Sequence, residues 1–377
     1  MKFNGYFDNA ATSFPKPKAV GTEMLRYLYD IGGPYARSSY SKATDVAGTV
    51  EEVRDMMALL LGTSNGSNII FTKNATEGIN ILLKGLKLEG SDVLISPMEH
   101  NAVMRPLLRL EKKKLIRIRV MPALPDGTID LEKSKEMLTG KTRLIIVNHQ
   151  SNVNGVIQPI SKVKEMAGGI PVMVDAAQSA GSVEINIDEN DFDFVSFTGH
   201  KGLLGPTGVG GVFIKTPEFV EPLIDGGTGS DSESYDMPDF MPDKFEGGTP
   251  NVVGIYGLGG ALRQRPVKSY SDDNFKNLID ELKSMDGYAV YCATDPSCQG
   301  NLFSIGSSFT DIANICKILG EQYNIQTRVG LHCAPLAHRT IGTYPTGTLR
   351  IAPSVYHTSE DFKVLLAALR ELRDLLS

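Results

Sequence analysis

Asp193-Phe-Val-Ser-Phe-Thr-Gly-His-Lys201 is the stretch from which the fold of this chain is read. An apolar run of strand character ends in a lysine, and the lysine opens into the glycine-rich Gly202-Leu-Leu-Gly-Pro-Thr-Gly-Val-Gly-Gly211. Most lysines are solvated surface charges. Here the ammonium is carried to a strand end expected to lie inside an α/β protein, among residues small enough to let other groups approach. A desolvated lysine has a lowered pKa and becomes a nucleophilic amine able to form a Schiff base. That is the entry point to pyridoxal phosphate chemistry, provided that places for a ring and a phosphate are found elsewhere.

Working outward, short apolar runs alternate with helical segments. Strands are expected at Asn68–Thr72, Asp92–Ser96, Arg143–Val147, Ile170–Asp175, Phe192–Phe197 and Val209–Ile214, and helices at Val50–Leu61, Thr76–Leu86 and from Asn101. Continuous apolar runs separated by helices predict a mainly parallel sheet covered by helices on both faces. The character changes after Tyr256. A helix over Asp272–Ser284, short strands near Tyr288 and Leu302, and a final helix over Ser359–Leu376 predict a smaller α+β domain. The expected division is a large domain over 16–255 and a small one over 256–377, with the segment 1–15 packing near the active site. The turn-rich acidic stretch Gly226–Ser234 reads as a loop.

The 377 residues are 41% hydrophobic and 22% charged, which is globular composition with ample material for a core. A net charge of -6 argues against nucleic acid or an anionic membrane as partner. The basic run Lys112–Arg119 reads as a solvated helix end leading into an exposed strand. The first residues, Met1–Asp8, carry no apolar signal region, and no run approaches the roughly 20 apolar residues of a membrane span; the expectation is a cytoplasmic enzyme. Cys292, Cys298, Cys316 and Cys333 show neither a disulfide framework nor metal-ligand spacing, so no metal is expected.

In open parallel sheets, ligands bind beyond the carboxyl ends of the strands. Thr72-Lys-Asn-Ala-Thr-Glu77 follows the first strand and opens a helix, whose N–H groups and Thr76 hydroxyl suit a phosphate; the same pattern also serves an ordinary N-cap. Ser96-Pro-Met-Glu-His-Asn101 follows the second, and His100 can stack on an aromatic ring or cap a helix. Asn148–Gly155 offers side chains that can hydrogen-bond a ligand. Asp175-Ala-Ala-Gln178 places a carboxylate at a strand end, where burial costs several kcal/mol unless the charge is paired. A protonated ring nitrogen is a fitting partner, and Gln178 can reach an adjacent phenolic oxygen. Each of five strand ends thus offers one component of a single cofactor site.

Asp8-Asn-Ala-Ala-Thr12, Asn74-Ala-Thr-Glu77, Met98-Glu-His100, Val174-Asp-Ala-Ala-Gln178, Thr198-Gly-His-Lys201 and Glu246-Gly-Gly-Thr-Pro-Asn251 together resemble the class V aminotransferase family, with the cysteine desulfurases as the nearest branch. The resemblance spans nearly the whole chain, with the motifs in family order. It implies the fold of the pyridoxal-phosphate-dependent transferases and a homodimer with shared active sites. By that resemblance Lys201 carries the cofactor, Asp175 holds the pyridinium proton and His100 stacks on the ring. Gln178 and Asn152 lie beside the ring, while Ala75, Thr76, Thr198 and His200 hold the phosphate. Thr249 matches a position that reaches the phosphate of the neighbouring subunit. Arg350 matches the arginine that clamps the substrate carboxylate, a task suited to a planar bidentate guanidinium. Ala11, Asn152 and Arg328 complete the substrate side, and Arg37 falls in a segment that loosely matches the substrate entrance.

Arg328-Val-Gly-Leu-His-Cys-Ala334 looks like the Arg-x-Gly-His-His-Cys-Ala motif of group II cysteine desulfurases, except that Leu331 replaces the first histidine. Buried cysteines are usually inert. Cys333, by contrast, follows His332 and lies near Arg328, and positive neighbours favour the reactive thiolate. The resemblance implies that Cys333 takes sulfur from L-cysteine as a persulfide, releases alanine, and passes the sulfur to an acceptor for iron–sulfur cluster or other thio-cofactor assembly. Selenocysteine lyase, cysteine sulfinate desulfinase and another class V lyase or aminotransferase remain alternatives. A nucleotide-binding oxidoreductase is disfavoured, because no strand leads into G-x-G-x-x-G with an acidic residue about 20 positions on.

Overall fold

The computed structural model describes residues 3–35 and 40–376. Seven strands form the main sheet: β1 (Ile69–Thr72), β2 (Ser91–Ile95), β3 (Ile116–Val120), β4 (Thr142–Asn148), β5 (Val172–Asp175), β6 (Phe194–Thr198) and β7 (Gly210–Ile214). Their spatial order is β1-β7-β6-β5-β4-β2-β3. The pairs among β3, β2, β4, β5 and β6 are parallel, and β7 runs antiparallel to both of its neighbours. The carboxyl ends of β1, β2, β4, β5 and β6 therefore share one edge of the sheet.

Period-2 alternation sends successive side chains to opposite faces, and both faces are buried here. Ile145, Val147, Val174, Val195 and Phe197 enter one core; Leu144, Ile146, Met173 and Phe194 enter the other. Among the helices of this part of the chain are α1 (Lys18–Arg26), α2 (Ser41–Leu60), α3 (Ala75–Gly85), α4 (Asn101–Lys112), α5 (Leu131–Lys135), α6 (Ile160–Ala167), α7 (Ile187–Asn190) and α8 (Val252–Arg263). Helices α2, α6 and α8 cover the first face, and α3 and α4 cover the second. Each fully buried aliphatic side chain contributes about 2 kcal/mol, so a two-faced core of this kind holds the strand ends firmly.

A second sheet of four antiparallel strands has the order β10-β11-β9-β8, from β8 (Tyr288–Tyr291), β9 (Phe303–Ser307), β10 (Arg328–Gly330) and β11 (Thr348–Ile351). It packs with α9 (Asp272–Lys283), α10 (Ile312–Tyr323) and α12 (Ser359–Leu376) around a separate core; the short α11 (Pro335–Thr340) follows Cys333. Phe7, with no exposed surface, belongs to this second core although it lies near the start of the chain. Helix α8 runs through positions 255 and 256, and Val252, Ile255, Tyr256 and Leu258 all pack in the core of the large sheet.

One helix start and two strands depart most from the sequence expectation. Helix α2 begins at Ser41, not Val50, because Ala43 and Val46 find burial that the weakly periodic Ser41–Thr49 did not advertise. Strands β10 and β11 were not anticipated: they are three and four residues long, too short for periodicity to register. The basic run ends α4 and enters β3, which lies at the sheet edge, as expected. Among the described residues no helix is long and apolar enough to cross a membrane. Arg37 lies outside the described residues.

Candidate active site

The shared strand edge opens into a cavity lined by Asn74, Ala75, Thr76, His100, Asn148, Asn152, Asp175, Gln178, Thr198, His200 and Lys201. It is smaller than the clefts beside Thr249 and beside Tyr270, yet it is where the chemistry converges. Nine positions singled out in the sequence thus meet: Ala75, Thr76, His100, Asn152, Asp175, Gln178, Thr198, His200 and Lys201.

Lys201 follows β6 through the turn Gly199-His200. It is partly exposed and lines two cavities, and the desolvation that accompanies burial lowers its pKa to about 8, against partial compensation from Asp175. Asp175 ends β5 and is 2% exposed. Its Oδ1 accepts from the Ala177 N–H at 2.9 Å, and burial raises its pKa. A carboxylate so placed favours a cationic partner inside the cavity.

Asn74, not Thr76, caps α3: its side chain accepts from the Glu77 N–H at 3.0 Å. The first-turn N–H groups of Ala75 and Thr76 remain at the cavity, at the positive end of the helix dipole. The antiparallel strand β7 permits this approach, because a Cβ on Gly210 would stand 2.7 Å from the Asn74 Cα. His100 caps α4, its Nδ1 accepting from the Ala102 N–H at 3.0 Å, so Nε2 carries the ring proton. Burial, together with the charge of Lys201, lowers its pKa to about 4. Both readings of His100 therefore hold at once: it caps a helix and presents a neutral ring to the cavity. Burial lowers His200 to about 4 as well, with Lys201 and Lys16 adding to the shift.

Gln178 donates from Nε2 to the Ala10 carbonyl at 2.9 Å, which ties the N-terminal segment holding Ala11 to the cavity wall. The Oδ1 atoms of Asn148 and Asn152, the Thr198 hydroxyl and His200 Nδ1 are buried without hydrogen-bond partners among the described residues. Such groups are costly unless a ligand engages them. A hydroxyl and an imidazole beside a helix N-terminus suit a phosphate, and a buried carboxylate opposite an amine suits a protonated aromatic aldehyde; the residues present fit pyridoxal phosphate.

On the small-domain side, Arg350 in β11 is 2% exposed and donates from Nη1 to the Asn152 carbonyl at 3.0 Å. Arg328 stands directly opposite it in the β10–β11 ladder and is exposed. The Cys333 carbonyl accepts from the Asn101 N–H at 2.8 Å, which sets this exposed cysteine against the start of α4, one residue after His100. His332 and Cys333 both adopt positive φ, 48° and 58°, a conformation that costs a side-chain-bearing residue about 1–2 kcal/mol. His332 is buried and its Nε2 donates to the Thr348 carbonyl at 3.1 Å. Burial, with Arg350 next, lowers its pKa to about 2, so it stays neutral. This corrects the expectation that His332 supplies positive charge to the thiol; Lys201 and Arg350 are cations that interact with Cys333.

Thr249 does not line this cavity. It lies in a separate surface cleft with Thr72, Lys73, Glu77 and Gly248.

Residues 5–365 match the family model described as aminotransferase class-V. The chain belongs to the class V aminotransferase family. Enzymes of this family generally depend on pyridoxal phosphate. Within it, a probable cysteine desulfurase of Methanothermobacter thermautotrophicus is 33% identical, over 97% of this chain and 94% of that protein. The cysteine desulfurase CsdA of Escherichia coli is 30% identical, over 98% of this chain and 94% of that protein. Among solved structures, an apo cysteine desulfurase from Thermococcus onnurineus superposes with a TM-score of 0.90 at 28% identity, covering 98% of this chain and 95% of the other. Escherichia coli CsdA, as an S-sulfonic acid form, gives 0.87 at 28% identity, with 99% and 95% covered.

Two residues given no role in the sequence reading stand out in this class V aminotransferase site. Glu99 has no exposed surface; its Oε1 accepts from the Ser96 hydroxyl at 2.7 Å and the Asn148 N–H at 2.9 Å. Burial, with the charge of Asp175 next, raises its pKa to about 8, so it is mostly protonated at neutral pH. Asp8 binds Arg350 at 2.8 Å. Both lie inside quoted motifs, but only folding shows which groups they face.

Proposed function

We propose that this protein is a pyridoxal-phosphate-dependent cysteine desulfurase that converts L-cysteine to L-alanine and retains the sulfur as a persulfide on Cys333. The observation that carries the reading is the Lys201 amine at the cavity with the exposed Cys333 set against the start of α4, one residue after His100, by the 2.8 Å bond from the Asn101 N–H to the Cys333 carbonyl. The relatives named cysteine desulfurase support it.

Bound in the cavity, the cofactor supplies an electron sink for the substrate Cα. The chain's own groups have distinct tasks. Lys201 would hold the cofactor aldehyde and serve as the base at Cα, for which an amine with a pKa near the working pH is suited. Asp175 keeps a proton on the ring nitrogen. His100, with its neutral ring, and Gln178 and Asn152 would hold the cofactor ring. Ala75, Thr76, Thr198 and His200 hold the phosphate. Arg350 would take the substrate carboxylate, with Arg328 and Ala11 completing the substrate side. The Cys333 thiolate attacks the substrate sulfur; the S–S bond forms as the S–Cβ bond breaks, and Cβ gains a proton. The persulfide then passes to a thiol acceptor, for iron–sulfur cluster or other thio-cofactor assembly. The assembly is a homodimer, in which Thr249 reaches the phosphate of the neighbouring site.

Cys333→Ala tests the reading. The variant is expected to keep its bound cofactor and its absorbance while losing at least about 100-fold in alanine formation from cysteine. Undiminished turnover of cysteine by that variant would refute the role of Cys333. Parallel assays with selenocysteine and cysteine sulfinate rank the substrates. Pyruvate and ammonia as main products would indicate elimination instead.

A further inference from the structure

We infer that Asp8 is a positioning residue, which fixes the guanidinium of Arg350 in the orientation that receives a substrate carboxylate; this rests on the reading of Arg350 as the carboxylate clamp. Arg350 is buried, and two of its three nitrogens are held. Nη1 donates to the Asn152 carbonyl at 3.0 Å and Nη2 to Asp8 Oδ1 at 2.8 Å, while Nε is buried without a partner among the described residues. A guanidinium has five N–H donors in one plane. Anchored at two nitrogens it cannot turn, and the remaining donors keep a fixed direction for a second anion.

The ladder gives the electrostatic reason for an acid at this point. Arg350 and Arg328 are directly opposite each other on antiparallel strands, so their side chains share one face of the small sheet. Like charges in that relation repel. With Lys201 also in reach, Arg350 would be a buried cation among cations. Asp8, paired with Arg350 at 2.8 Å, offsets that charge.

The residues flanking Asp8 are held by backbone bonds to both domains. The Phe7 carbonyl accepts from the Ala352 N–H at 2.8 Å, and the Asn9 N–H donates to the Ala352 carbonyl at 3.2 Å, directly after β11. Five residues on from Asp8, the Ser13 N–H donates to the carbonyl of His200 at 2.9 Å, next to Lys201. One segment thus sets the distance between the residue that grips the substrate and the residue that holds the cofactor.

The experiment is a titration of the cofactor-loaded protein with L-alanine and with L-alaninamide, followed by cofactor absorbance. Alanine carries the carboxylate and alaninamide does not. Asp8→Ala is expected to weaken alanine binding at least tenfold and to leave alaninamide within threefold. Asp8→Asn keeps an oxygen that can accept from Nη2 but loses the offsetting charge, and is expected to bind alanine more tightly than Asp8→Ala does. Asp8→Ser, whose shorter side chain does not reach, replaces the alanine variant if that one does not fold. Alanine affinity unchanged in Asp8→Ala, equal losses for both ligands, or an Asn variant as weak as the Ala variant would each overturn the proposal. Arg350→Lys serves as control, and must lose alanine affinity but not alaninamide affinity. An unaltered enzyme that fails to desulfurate cysteine refutes only the functional reading, because neither titrant contains sulfur.

Discussion

The side-chain amide of Asn152 donates a 2.7 Å hydrogen bond to the carbonyl oxygen of His332. Asn152 follows β4 in the large domain, and His332 precedes the cysteine in the small one, so this bond joins the cofactor cavity to the Cys333 loop. It matters because the loop carries two consecutive residues at positive φ, which persist only where their surroundings hold them.

Asn152→Asp tests that support with little change in shape. The substitution replaces the donor by an acceptor facing a carbonyl. We expect stability to fall by about 1–3 kcal/mol, as for a broken buried hydrogen bond, measured from the denaturant midpoint. Cys333 should react with iodoacetamide at least about five times faster as its loop loosens. An unchanged alkylation rate would show that the loop is held by Asn101 and Thr348 alone.

Lys201 predicts a pH profile for cofactor uptake by the apo protein. Only the neutral amine condenses with an aldehyde, and its pKa is lowered from 10.5 to about 8, first by burial. The initial rate should rise about fivefold between pH 7 and 8 and level off above pH 9. An ordinary lysine would give a tenfold rise per unit through pH 9 without a plateau. The same shift sets the sign for stability: between pH 8 and 10.5 the unfolded chain binds more protons at this residue, so this residue's contribution to apo stability rises with pH across that window.

Arg54 and Glu246 predict a large stability effect away from the chemistry. Arg54 has no exposed surface; it donates to Glu246 at 2.7 Å and sits over the Phe71 ring, while Glu246 also accepts from the Phe71 N–H at 2.6 Å. Glu246→Ala leaves a buried cation with, among the described residues, only the half-exposed Glu51 as ionic partner, and should cost about 3–5 kcal/mol in chemical denaturation. The double variant Arg54→Met, Glu246→Ala should recover part of that loss. Equal losses in the single and double variants would rule out an uncompensated charge as the cause.

Much of the cavity was legible along the chain. Asp175, His100, Thr198 and Lys201 each follow an apolar run at a strand end, and a parallel sheet aligns such ends by construction. Other features were not legible, for physical reasons. Strands β10 and β11 are too short to show alternation, although they carry Arg328 and Arg350. Helix α2 starts nine residues early because burial outweighs weak local propensity. His332 looked like a positive neighbour for the thiol, but charge depends on desolvation, which sequence adjacency does not report.

By itself the sequence determined the alternation of strands and helices, the two-faced core and the identity of the groups at the strand ends, because those follow from local periodicity and chain connectivity. Tertiary structure alone decided which groups stay charged and which meet across the domains. Lys201 loses much of its proton affinity, Glu99 takes up a proton, and Asp8 crosses from the chain start to Arg350. Those outcomes depend on how much water the folded chain excludes and on distances between residues up to 342 positions apart.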